Sequence, residues 1–103
     1  MVQGVFVTAH PRRPAFDWHD VKAQKNVRRH GVSFDEAATV FEDPLSISDS
    51  DPLHSDDETR YVLVGLSNES RLLVVAYAMR GERIRIISSR PATARERKHY
   101  EEE

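Results

Sequence analysis

The chain has 103 residues, 31% of them charged, no cysteine and a formal net charge of −2. That length accommodates one small domain, and the absence of cysteine excludes a disulfide scaffold and any thiolate-held zinc or iron–sulfur centre, as suits a reducing cytosol. The longest charge-free apolar stretch, residues 72–79, is far below the ~18–20 residues a bilayer helix needs, so the chain reads as soluble, unsecreted and cytoplasmic, with no membrane partner.

Residues 1–15 read as a flexible leader, because Pro11 and Pro14 flank two arginines and cannot donate to a ladder. Val5 to Val7 could add an edge strand. Asp17 can cap a first helix that runs to His30 and ends at Gly31, with Trp18, Val21, Ala23 and Val27 as its thin apolar content and Lys22, Lys25, Arg28 and Arg29 as a basic side. Ser33 and Glu36 make a capping box for a second helix, with Phe34, Ala37, Ala38 and Phe41 at helical spacing and Pro44 as its stop.

A short strand at Leu45 and Ile47 follows, then an acidic loop over residues 49–58 broken by Pro52. Three longer strands are expected over residues 60–66, 71–80 and 83–89, the last two joined by Gly81-Glu82 as a two-residue turn. That turn would put Arg80 opposite Arg83, Ala78 opposite Arg85 and Ala76 opposite Ile87 on one face. Met79/Ile84, Tyr77/Ile86 and Val75/Ser88 would pair on the other, which should bury against the helices. Three arginines so close repel one another unless an anion, a phosphate or a partner carboxylate lies between them. Thr93 and Glu96 form a second capping box, opening a basic last helix with no apolar stripe.

Counted by region, the small net charge is a cancellation. Residues 35–58 hold nine acids and no Lys or Arg, whereas residues 72–100 hold seven Lys/Arg against Glu82 and Glu96. A segregated chain can present a basic surface whatever its total.

Three stretches then carry a family resemblance: Phe16-Asp17-Trp18 with Asn26 and Arg29 through Ala37; Val40-Phe41-Glu42-Asp43-Pro44; and Arg71 to Val75 through Arg83 to Thr93, with Glu96-Arg97 and Tyr100. In order and spacing the chain resembles the BrnT family, ribonuclease toxins of a bacterial type II toxin–antitoxin system. The resemblance covers nearly all of residues 16–101. It implies a RelE-like α+β domain over residues 16–103: two N-terminal helices, a four-stranded antiparallel sheet and the basic C-terminal helix. It also implies RNA cleavage without a metal or other cofactor, and a BrnA-like antitoxin that covers the toxin and represses their shared operon. Operator DNA would be reached only through that antitoxin, and a homodimer within the complex is allowed.

Metal-free RNA cleavage needs a base for the 2′-hydroxyl, cations for the crowded phosphate and an acid for the leaving oxygen. Arg83, Arg85 and Arg90 are the first choice for the phosphate, since the arginine fork binds it bidentately. The alternative is a solvated strand face. Arg60 could reach the same face, or pair with Asp57 or Glu58. His30, His54, His99 and Tyr100 are the available titratable groups; His99 and Tyr100, on the basic helix, are assigned to catalysis, and His30 reads as a helix-end residue in preference to a catalytic one. Arg60, Arg80, Lys25, Arg29 and Lys98 are assigned to RNA binding. Asp49, Asp51, His54, Asp56 and Asp57 match no metal-site spacing and read as a solvated loop. Trp18 and Phe41 read as core anchors. The competing function is a non-catalytic module that binds nucleic acid or protein with the basic sheet face.

Overall fold

The computed structural model describes residues 15–55 and 58–102. In chain order it comprises β1 (Ala15–Asp17), α1 (Asp20–His30), α2 (Phe34–Thr39), a 3₁₀ turn (Val40–Glu42), β2 (Ile47–Ser50), a second 3₁₀ turn (Pro52–His54), β3 (Arg60–Leu66), β4 (Leu72–Arg80), β5 (Arg83–Pro91) and α3 (Ala94–Glu102). The strands form one sheet in the order β1-β5-β4-β3-β2. The expected leader strand at Val5 to Val7 and most of the leader lie outside the described residues.

The sheet corrects the expectation of four antiparallel strands and a RelE-like layout: among the described residues it has five strands and is mixed. β2 to β5 run antiparallel, but β1 lies parallel to β5, pairing Ala15 with Arg83, Phe16 with Ile84 and Asp17 with Arg85. Three residues are too short to show a period, so only the sheet edge that receives them reveals a strand. Ala15, assigned to the leader, is its first residue. Asp17 is therefore not a helix cap; His19 occupies that position, without a side-chain bond to the helix. Strand alternation turns Phe16 toward the helices and Asp17 to the opposite face.

α1, α2 and the first 3₁₀ turn pack on one face over Val32, Phe34, Ala37, Val40, Leu63, Leu73, Val75 and Ile86, whereas α3 buries none of its residues. Trp18 and Phe41 pack against this core, Trp18 edge-on to Phe34 at 5.8 Å and Phe41 between Phe16 and Tyr77 at 5.2 and 4.9 Å. In α1, Val21 and Val27 are about half exposed, contrary to the expected apolar side. A polar residue docks this helix instead. The buried Asn26 donates to the carbonyls of Val32 and Ser89 at 2.9 and 2.8 Å and accepts from the Ser89 N–H at 3.1 Å. In α2, Ser33 accepts the Glu36 N–H, while the Glu36 carboxylate turns away to Arg71 and Ser67. At the β4–β5 turn, Gly81 has φ +63°, which only glycine adopts without strain.

One irregularity decides the chemistry of β5. The expected pairs hold from Arg80/Arg83 to Tyr77/Ile86, but a bulge between Ala76 and Tyr77 then moves Ala76 onto Ser88, Val75 onto Ser89 and Val74 onto Arg90. Ile87 is the extra residue. Without the bulge, simple alternation from Ile84 and Ile86 would carry Arg90 to the helix-packed face. With it, Ser89 enters the core at 1% exposure and Arg90 turns to the open face. The strand also runs through Pro91, two residues beyond the expected end.

Candidate active site

The face opposite α1 and α2 carries the arginines. Cross-strand pairing aligns Asp17, Arg85, Ala78 and Arg60 in one row over four strands, with Arg80 and Arg83 as neighbours on the side of the turn. Arg83, Arg85 and Arg90 thus share a face, as the hairpin register implied for the first two.

At the Asp17 end, the carboxylate that three close arginines require comes from the chain itself. Asp17 accepts from Arg83 Nε and from Arg85 Nη1, both at 3.1 Å. The Arg83 hydrogen bond and the charge of Arg85 hold the Asp17 carboxyl below the usual range despite some desolvation. Arg80 forms a two-pronged pair with Glu58 at 2.8 and 3.1 Å, which lowers Glu58 likewise.

At the other end the small side chains leave a cleft of about 270 Å³. Val62, Val74, Ala76 and Ile87 make its floor, and Arg60, Arg90, Ser88, Asp51 and His54 ring it. Among the described residues the Arg60 side chain has no hydrogen bond or ion pair. Arg90 is held by α3, its Nη1 and Nη2 donating to the two Glu96 oxygens at 2.8 and 2.9 Å. The Arg90 fork, helped by the Thr93 N–H, pulls Glu96 down to about 2. Glu96 simultaneously completes the capping box, its Oε1 accepting the Thr93 N–H while its own N–H donates to Thr93 Oγ1.

The acidic loop also reaches the cleft: His54, one of the available titratable groups, stands on its rim with Asp51, which the sequence placed only in a solvated loop. Asp51 Oδ2 lies 3.0 Å from His54 Nδ1. The signal was the Asp-Pro-Leu-His spacing, which a 3₁₀ turn converts into adjacency. Asp56 and Asp57, grouped with them, lie outside the described residues. Among the described residues no three His, Asp or Glu side chains gather as metal ligands.

The remaining candidates stand elsewhere. Tyr100 faces the body of the domain and donates to Asp43 Oδ2 at 2.6 Å, which with desolvation pushes its hydroxyl up to about 12. Burial would raise Asp43, but the Leu66 N–H, the Tyr100 hydroxyl and the Leu45 N–H outweigh it and hold the carboxyl low. His99 and Lys98 are exposed on α3, Lys25 and Arg29 are exposed on α1, and none of the four lines the cleft. His30 is half-buried at the end of α1.

Comparison with known proteins follows the same outline. The family model described as the ribonuclease toxin, BrnT, of type II toxin–antitoxin systems matches residues 18–96, which includes Arg60 and Arg90 and stops short of His99 and Tyr100. Among solved structures the chain is similar to the crystal structure of the Brucella abortus ribonuclease toxin, BrnT, with a TM-score of 0.58 and 22% identity over 78% of this chain and 97% of that one. At that identity the likeness speaks for the fold. No curated protein matches the chain. No helix of the described residues is long and apolar enough to cross a membrane.

Proposed function

The chain belongs to the BrnT family of ribonuclease toxins of type II toxin–antitoxin systems, and from that premise we propose that it is a metal-independent endoribonuclease that inhibits translation until a cognate antitoxin covers it. The observation that carries this reading is the cleft in which Arg60 and Arg90 stand over an apolar floor.

Attack of a ribose 2′-oxygen on the neighbouring phosphorus crowds negative charge onto the phosphoryl oxygens. Two guanidinium groups beside the position where that charge develops, one of them held by Glu96, stabilise the transition state more than the ground state. The apolar floor strengthens the effect by excluding water beneath the phosphate. Glu96 keeps Arg90 in one orientation without consuming all five of its N–H donors, so little reorganisation is required when RNA arrives. The Ser88 hydroxyl on the rim offers a further donor.

Arg85, Arg83 and Arg80 continue the basic face away from the cleft. In this reading they follow the RNA backbone, exchanging their carboxylate partners for phosphates, and so contribute affinity more than rate. The antitoxin is of the BrnA type, operator DNA is reached only through it, a homodimer can form within the complex, and the toxin acts in the cytoplasm.

The test is incubation of antitoxin-free protein with single-stranded RNA in EDTA. Cleavage that is lost in folded Arg60→Ala and Arg90→Ala proteins is the expected result. Salt-sensitive binding with the RNA left intact would instead establish the non-catalytic alternative.

A further inference from the structure

We propose that His54 is the general base of the cleft and that Asp51 is its positioning residue; this rests on the ribonuclease reading above. The site is built rather than incidental. The Asp51 N–H donates to the Arg60 carbonyl at 2.8 Å, the His54 N–H donates to the Asp51 carbonyl at 3.2 Å, and Ser55 Oγ donates to that same carbonyl at 2.6 Å while accepting the Arg60 N–H at 3.0 Å. These bonds pin the turn carrying the imidazole to the start of the strand carrying Arg60. His54 and a phosphate-binding arginine are thereby held on one short piece of backbone.

The chemistry follows from which ring nitrogen is occupied. Asp51, a carboxylate, can only accept, so Nδ1 of the neutral imidazole carries the proton and Nε2 keeps its lone pair. The side chain is 68% exposed, so Nε2 is open to a ribose on the cleft. In the step proposed, Nε2 takes the 2′-hydroxyl proton as the 2′-oxygen forms its bond to phosphorus. The bond from phosphorus to the 5′-oxygen breaks, and that oxygen takes a proton from water at the open mouth of the cleft. The products are a 2′,3′-cyclic phosphate and a 5′-hydroxyl, and the imidazolium, stabilised by Asp51, returns its proton to solvent. Among the described residues, the charged groups that line the cleft with the imidazole are Asp51 on its own turn, Arg60 on β3 and Arg90 on β5, the last paired with Glu96 from α3.

The experiment measures kcat and KM against pH for the full chain on mixed-sequence single-stranded RNA in EDTA. His54→Gln is expected to lower kcat by about 10²–10⁴-fold and to abolish the fall in rate on the acid side that a histidine base imposes. Affinity for the same oligonucleotide in 2′-deoxy form should stay within about threefold, which shows the variant folded. Free imidazole should restore part of the activity of His54→Ala. Asp51→Ala should lower kcat by roughly tenfold with KM little changed and the acid limb kept. A His54→Gln protein with wild-type kcat and an unchanged acid limb, beside an inactive Arg90→Ala protein, overturns the assignment of His54 and leaves the ribonuclease reading standing. Intact RNA with the wild-type protein overturns both.

Discussion

The two ends of the open sheet face hold similar residues in opposite states. Around Asp17, two arginines converge on one carboxylate supplied by a strand of the same chain, and Arg80 beside them is matched to Glu58. Around the cleft, Arg90 is oriented by Glu96 at its margin, and Arg60 lines open space beside an oriented histidine. Counting arginines cannot separate these ends. What separates them is where the compensating charge comes from: a carboxylate between the cations occupies the position a phosphate would take, whereas one behind a cation steadies it for a ligand in front.

The largest effect expected from this difference is catalytic. Arg60→Ala and Arg90→Ala should each lower cleavage of RNA in EDTA by about 10²–10³-fold, while Arg83→Ala and Arg85→Ala should lower it by less than about tenfold. Equal losses at both ends, measured as kcat/KM, would erase the distinction. A middle-sized effect is expected from Asp17→Asn, which removes the carboxylate from between Arg83 and Arg85. RNA should bind more tightly, and the dependence of log K on log salt should steepen by roughly 0.7 for each arginine released to a phosphate. Binding isotherms at several salt concentrations read this directly.

A smaller effect concerns the acid stability of α3. The Glu96 carboxyl titrates at about 2 against an ordinary 4.5. Its folded value is depressed, so its contribution to docking α3 is complete above the ordinary value and is lost as pH falls from 4.5 toward 2. Hydrogen exchange of the α3 amides should show that loss, and Glu96→Gln should remove the acid dependence, at a cost of no more than about 1 kcal/mol for a partly exposed pair. The smallest effect is expected at Tyr100. Tyr100→Phe deletes one hydrogen bond to Asp43 and should cost about 1 kcal/mol by denaturant titration, with RNA cleavage unchanged. A large loss of activity there would return Tyr100 to the acid–base role its place on the basic helix suggested.

Much of the fold was legible in the sequence because its signals are local. The Ser33 cap on the Glu36 N–H, the reciprocal Thr93/Glu96 box, Gly31 after α1, and Gly81 in the turn each act over a few residues and appear where expected; only the return half of the Ser33/Glu36 box is missing, because Arg71 and Ser67 take the Glu36 carboxylate. The strand at Ala15–Asp17 was not legible, since its existence depends on an edge of β5 some seventy residues away. The same holds for Asn26, a polar residue in a thin amphipathic pattern that becomes the anchor of its helix only once Ser89 is beside it.

The site divides in the same way. By itself the sequence determined the residue types, the order of the elements from α1 onward and the register next to the Gly81-Glu82 turn, and therefore that Arg83 and Arg85 share a face. Only the tertiary structure decided that Asp17 stands between those two, that a bulge at Ile87 turns Arg90 onto the same face, and that the Asp51–His54 turn closes on Arg60. The reason is physical. Turns and caps are governed by contacts a few residues apart, whereas the pairing of a carboxylate with a cation, or of a histidine with a cleft, is governed by which distant strands the core brings together.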